Sequence, residues 1–284
     1  MNLPNAPLQI MQYNVAKKRE VMDSILNDKD TQKYSLFLLQ EPCRTYKQKI
    51  PLLHQSWTAI EPTHLTETPP RVAIYFNNKK ISPSSIEQIA IPHPDIIAVS
   101  LPPQLPFLKP TLIVNLYNDT HTYSAMEQLR HILFRHLKIE DYEVILVAGD
   151  FNLHHALWNQ VGYTAQEPQA QTLVETMMEA NLRPLLPPGM VTFPSRSDGT
   201  QPTSIDLVWG NESAEDIVIK CHTVEGTNDH GSDHYPIEIV LDLSPKKLPP
   251  IVPLYNYDKT NRDLVKIELQ CLLPPAINSN NTSP

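Results

Sequence analysis

Glu143–Trp158 reads EVILVAGDFNLHHALW, and the fold follows from its first half. Four branched apolar residues in a row, Val144, Ile145, Leu146 and Val147, predict a strand buried on both faces, because a strand with one wet face would alternate. The run stops at Ala148-Gly149, with Asp150 and Asn152 beyond it. A polar pair at the end of a buried strand is either a cap on the following turn or part of a site, where the strand fixes the backbone and the loop leaves side chains open to substrate. The rest of the chain decides between the two.

Working outward from this strand, Met126–Leu137 upstream carries Leu129, Ile132, Leu133 and Leu137 on one helical face. Further upstream, Thr111–Tyr117 (TLIVNLY), Ile96–Leu101, Arg71–Phe76, Trp57–Ile60, Ser35–Gln40 and Leu8–Asn14 read as strands, and Glu20–Leu26 as a helix. Downstream, Ala170–Leu182 predicts another helix, followed by strands at Val191–Pro194, Ser204–Trp209, Asp216–Lys220 and Ser232–Leu243. Beyond Leu243 the sequence SPKKLPPIVP is linker-like, and Asp258–Leu269 is a modest helical pattern before a polar end. The expected organisation is one domain over 1–243 and a Pro-rich, partly helical tail over 244–284.

Composition narrows the function. A chain of 284 residues buries one substantial core, and its 28 prolines predict short helices that begin or end at a Pro. With 7 glycines and neither G-x-G-x-x-G nor G-x-x-x-x-G-K-[ST], the sequence argues against a glycine-rich phosphate loop. The net charge of −8 argues against a bulk polyanion binder, whose affinity comes from Lys and Arg on phosphates, and leaves room for a nuclease with a local basic rim. Cys43, Cys221 and Cys271 lie too far apart for a zinc pattern and predict reduced thiols. No leader pattern and no apolar run of about 18 residues is present, so the expectation is a soluble intracellular protein.

The strand ends share a property. Asn14, Glu41, Tyr117, Asp150, Asn152, Asp206, Asp233 and His234 all stand at or just beyond a predicted strand terminus. Cleaving a phosphodiester needs such a set. A hard divalent cation takes oxygen ligands such as Glu41 and keeps several waters. Asp150 suits the base or orienter of an attacking water, and Asn152, Tyr117 and a protonated His234 suit donors to phosphoryl oxygens that gain charge. Asp206 interrupts an apolar strand, and a buried carboxylate needs a partner. His234 is the candidate, in a pair that would hold the ring and favour the imidazolium.

The fragments QYN, LLQEP, NLYND, GDFNLHHALW, SIDLVW and SDHYPI, in this order, resemble the endonuclease/exonuclease/phosphatase superfamily. Within it, GDFNLHHALW followed by SIDLVW, together with VAKKREVMDSILND, is similar to the endonuclease domain of fungal non-LTR (LINE-type) retrotransposons. The resemblance covers about Leu8 to Leu243. It implies a four-layer α/β sandwich of two mixed, mainly antiparallel β-sheets packed face to face with helices outside (DNase I-like). It also implies Mg²⁺-dependent nicking of DNA, with Mn²⁺ able to serve the same oxygens.

Carried over by position, the resemblance puts the metal carboxylate at Glu41 with Asn14 and Asp233 beside it, and the phosphate-binding tyrosine at Tyr117. It puts the water-orienting pair at Asp150 and Asn152, and the carboxylate that orients the active-site histidine, His234, at Asp206. Thr192, Ser204 and Asn118 are further candidate substrate contacts. Abasic-site endonucleases carry an Asp two residues after the first Asn, where this chain has Ala16, which argues against abasic-site repair. The tail, LYNYDKTNRDLVKIEL, resembles the segment joining endonuclease to reverse transcriptase, and no Y-x-D-D polymerase motif follows. The expectation is an endonuclease leaving a 3′-hydroxyl, with DNA as partner, nuclear access, and the reverse transcriptase of a parent element absent from this chain. A phosphomonoesterase or inositol-phosphatase-like hydrolase of the same fold and a non-catalytic DNA- or protein-binding module are the alternatives.

Overall fold

The computed structural model of the chain describes residues 7–46, 50–63, 69–103, 107–164, 167–194, 201–224, 230–243 and 262–266. The chain divides into two compact units, Met1–Pro245 and Lys246–Pro284. Of the second, residues 262–266 are helical, and the rest of the expected linker and tail lies outside the described residues.

The strands of the first unit are Leu8–Asn14 (β1), Leu36–Gln40 (β2), Trp57–Ile60 (β3), Val72–Asn77 (β4), Glu87–Ile89 (β5), Ile96–Leu101 (β6), Thr111–Tyr117 (β7), Val144–Asp150 (β8), Arg183–Pro184 (β9), Asp206–Gly210 (β10), Val218–Thr223 (β11) and Ile237–Leu241 (β12). The helices are Arg19–Asn27 (α1), Ser124–His131 (α2), Pro168–Glu179 (α3) and Glu212–Ile217 (α4). The strands form two six-stranded sheets, ordered β11-β12-β1-β2-β4-β3 and β5-β6-β7-β8-β10-β9. Among the described residues, only β1 with β2 and β7 with β8 pair in parallel. This is the expected α/β sandwich.

Its layers can be read from strand parity, since successive side chains point to opposite faces. On β8, Val144, Leu146 and Ala148 face the other sheet, where they meet Ile10, Leu38, Ile74 and Ile239, while Ile145 and Val147 face α2 and α3. That is why this strand is apolar throughout. On β1 and β2 the outward residues Met11, Tyr13, Phe37 and Leu39 pack with Val21, Met22 and Ile25 of α1. The inward rows run from apolar to polar along each strand: Leu8 and Ile10 give way to Gln12 and Asn14, Ala148 to Asp150, and Val208 leads back to Asp206. The polar ends of these rows lie together at one end of the sandwich.

Four local expectations are corrected. Val191–Pro194 is not a strand: it contributes one bridge, Phe193 to Thr203. Asp216–Lys220 is split, because Asn211 caps α4 by accepting from the Ala214 amide at 3.1 Å, and the strand starts only at Val218. Ser232–Tyr235 precedes Pro236, which has no amide to give a ladder, so β12 begins at Ile237. The helix predicted over Met126–Leu137 begins at Ser124 and widens into a π-turn over Ile132–Leu137. Among the described residues no helix is long and apolar enough to cross a membrane.

Candidate active site

The polar ends of the inner faces open into a cleft of about 520 Å³, lined by Asn14, Glu41, Tyr117, Asp150, Asn152, Asp233 and His234 with Thr120, Tyr123, His154, Glu167, Phe193, Thr203 and Ile205. The eight strand-end residues singled out in the sequence fall into place here, seven on the wall and Asp206 directly behind it.

Register accounts for the convergence. Parallel pairing puts Tyr117 beside Asp150, and antiparallel pairing puts Asp206 on the other side of Asp150. From the other sheet, Asn14 Nδ2 donates to Asp150 Oδ2 at 2.8 Å. The amide cannot turn over, because Asn14 Oδ1 accepts from the Ala16 amide at 2.9 Å. Asp150 Oδ1 accepts from the Asn152 amide at 3.1 Å, and the Asn152 side chain donates to the Asn118 carbonyl at 2.9 Å. The loops hold unfavourable backbone here: Ala16, Lys17, Glu41 and Asn152 all have φ between +48° and +58°, which costs a non-glycine residue about 1–2 kcal/mol and is kept where the surroundings fix it.

Behind Asp150, His234 Nδ1 lies 2.8 Å from Asp206 Oδ2. An ionised carboxylate only accepts, so Nδ1 carries the proton and Nε2 is left for the cleft. Burial alone would push the imidazole down. The Asp206 carboxylate outweighs it, with Asp150 and Asp233 adding to the effect, and holds His234 up at about 9. Asp150 is 1% exposed. Burial first, then the Asp206 charge, pushes its carboxyl well above the usual range, against the pull of His234 and its two hydrogen bonds.

On the opposite wall, burial, then the charge of Glu41 and a hydrogen bond to it, raises the Tyr117 phenol far above its ordinary value. The Arg71 guanidinium lies 4.8 Å from the Tyr117 ring centroid. Arg71 is held bidentately by Asp95, at 3.1 and 2.6 Å, and also bonds Asp119, so its charge is already shared between two carboxylates. Lys17 Nζ is 3.3 Å from Glu41 Oε1.

Thr192, Ser204 and Asn118 do not line the cleft, and as substrate contacts they are corrected. Each is buried with its side chain committed to backbone. Thr192 Oγ1 accepts from the Ile205 and Asp206 amides at 3.0 Å each, Ser204 Oγ donates to the Met190 carbonyl, and Asn118 Nδ2 donates to the Phe151 carbonyl at 2.8 Å. They hold the strand ends. His155 Nδ1 accepts from the Leu157 amide at 3.0 Å and so serves its loop. Trp158 and Trp209 are buried and pack edge to face.

Gln12, Gln40 and Asn115 carry side-chain hydrogen bonds behind the site and were given no role from the sequence. The signal for them was present: each is a polar residue at an inward position of a buried strand, the same pattern that marks Asp206.

Ligand atoms of Asp150, Asp206 and His234 lie within 4.8 Å of one another. Asp206 is already occupied on both oxygens, by His234 and by Gln12. Glu41, Asp233 and Asn14 also line the cleft, and their hard oxygens fit an oxygen-seeking divalent cation retaining much of its water.

Residues 111–238 match the protein family described as Endonuclease-reverse transcriptase. No curated protein matches the chain. Among solved structures, the endonuclease domain of TRAS1, a telomere-specific non-LTR retrotransposon, superposes with a TM-score of 0.63 at 18% identity, covering 83% of this chain and 98% of that one. The AP endonuclease LMAP from Leishmania major gives a TM-score of 0.63 at 15% identity, covering 84% and 88%. The catalytic domain of APE2 from Xenopus laevis gives 0.62 at 12%, covering 83% and 92%. The fold is shared with all three.

Proposed function

We propose that this chain, whose residues 111–238 match the Endonuclease-reverse transcriptase family and whose fold is that of the nucleases named above, is a divalent-metal-dependent endonuclease of the endonuclease/exonuclease/phosphatase superfamily that nicks DNA and leaves a 3′-hydroxyl. The observation that carries the proposal is the setting of Asp150: a buried carboxylate fixed by Asn14 from one sheet and by its own loop, beside a histidine that Asp206 keeps protonated.

In this reading Asp150 orients the attacking water and takes its proton, for which a raised carboxyl is suited. His234, cationic through Asp206, presents Nε2–H to a phosphoryl oxygen, and Tyr117, kept neutral by Glu41, would turn its O–H from that carboxylate to another phosphoryl oxygen. Asn152 donates to the same phosphate. Glu41, with Asn14 and Asp233, would hold the cation, Mg²⁺ or Mn²⁺, which when bound supplies Lewis-acid charge at the cleft. Thr192, Ser204 and Asn118 keep the loops in register.

The retroelement setting draws on TRAS1 and on the family description. Target-primed copying of that kind would put a reverse transcriptase beside this domain in a parent element. Ala16 at the place of the abasic-site enzymes' Asp favours intact over abasic DNA. Supercoiled plasmid with Mg²⁺ tests the proposal: wild type should yield open circles, EDTA should stop it, and Asp150→Ala should slow it at least about 1,000-fold. Equal rates for wild type and Asp150→Ala would sink it, and phosphate release from monoesters without plasmid nicking would redirect it to a phosphatase.

A further inference from the structure

Behind the cleft a chain of buried carboxamides crosses between the sheets. Asn115 on β7 donates both Nδ2 hydrogens to main-chain carbonyls of the other sheet, Leu39 at 3.1 Å and Ala73 at 3.0 Å. Its Oδ1 accepts from Gln40 Nε2. Gln40 Oε1 accepts from Gln12 Nε2 at 2.7 Å, and the same Gln12 nitrogen donates to Asp206 Oδ1 at 2.8 Å. Gln12, Gln40, Asn115 and Asp206 are each 0% exposed.

The direction of every bond in this chain is forced. A carbonyl only accepts, so Asn115 must turn its nitrogen to Leu39 and Ala73 and its oxygen to Gln40. Gln40 must then present nitrogen to Asn115 and oxygen to Gln12. Gln12 must present nitrogen, and its second hydrogen points at Asp206. The cost is visible at the other end of Gln12, whose Oε1 is buried with no hydrogen-bond partner among the described residues. An apolar side chain would pack there without an orphaned acceptor.

We propose that Gln12 is a positioning residue: its carboxamide, oriented by Gln40 and Asn115, holds Asp206 Oδ1 so that Oδ2 faces His234 Nδ1. The role rests on the nuclease reading of the cleft. With Oδ1 anchored from the first sheet and the Asp206 backbone anchored by Thr192, the carboxylate keeps one rotamer and the imidazole keeps one direction. The amides ensure that both sheets must be in register before His234 is aimed.

Gln12→Met, close in length and without a donor, tests this in the full chain. Two readouts are taken: plasmid-nicking kinetics, and the His234 Nδ1–H proton in ¹⁵N-labelled protein, displaced downfield by its bond to the carboxylate. The expected result is a kcat lower by about 10- to 100-fold with KM within about threefold, and a His234 resonance shifted upfield or lost to exchange. Either readout unmoved in a folded variant overturns the proposal. Should Gln12→Met fail to fold, Gln40→Met frees the Gln12 amide while leaving it in place, and the same two changes are required of it. Wild-type protein that does not nick DNA would end the nuclease reading, and the resonance alone would then decide the role of Gln12.

Discussion

Asp150 and His234 are two neighbouring groups whose pKa values the fold raises together, so the carboxylate ionises at a pH where the ring is still charged. Nicking should therefore rise with pH as the raised Asp150 carboxyl ionises and fall again as His234 loses its proton near about 9. A pH–kcat profile at constant Mg²⁺ checks this, and His234→Asn should remove the alkaline limb along with most of the rate. The same pair ties stability to pH. The folded pKa of His234, about 9, lies above its unfolded value of about 6.5, so its contribution is complete below about 6.5 and is lost as pH rises through 9. Asp150, also raised, acts in the same direction at lower pH. The thermal midpoint should fall between pH 7 and 9.5, less steeply in His234→Asn. Of the residues involved, Asp206 was legible in the sequence because a carboxylate inside an apolar strand demands a partner, and His234 was the nearest fit. Thr192, Ser204 and Asn118 were misjudged because a hydroxyl or amide near a site has the same one-letter code whether it meets substrate or a backbone amide. Thr192→Val should expose the difference: it orphans two buried N–H groups and should cost about 2–4 kcal/mol in urea unfolding.

At the scale of elements, the apolar strands were readable because each is covered on both faces, and their ends because polarity changes sharply there. What stayed hidden depended on partners distant in sequence. Asn211 ends β10 and caps α4 in one residue, so DIVIK looked like a strand from its alternation alone, and Pro236 delays β12 although the polar and apolar residues around it keep strand spacing. The pairing of β7 with β8 also explains a residue the pattern could only mark as a stop. A Cβ on Gly149 would overlap the Leu116 carbonyl oxygen and come within 2.9 Å of its carbon. Gly149→Ala should thus push apart the two strands that carry Tyr117 and Asp150. It is expected to cost more than about 3 kcal/mol, seen as insoluble protein or a collapsed thermal midpoint rather than as a soluble inactive one.

Across the whole molecule, two sheets contribute opposite halves of one cleft: Asn14 and Glu41 from the first, Tyr117, Asp150, Asn152 and Asp206 from the second, with His234 closing it from the loop before β12. The sequence order of these fragments carried the fold, and their inward parity carried the site. The buried amides between the sheets were marked by their inward parity, but their pairing was not legible, because partners are set by how the layers stack and not by any spacing along the chain. The central claim is that the two halves act as one phosphodiester-cleaving centre. The most direct test is the single-turnover nicking rate of supercoiled plasmid with Mg²⁺ for wild type, Glu41→Gln and His234→Asn side by side. Each variant should be slower by at least about 100-fold, and either one nicking within threefold of wild type would contradict the account.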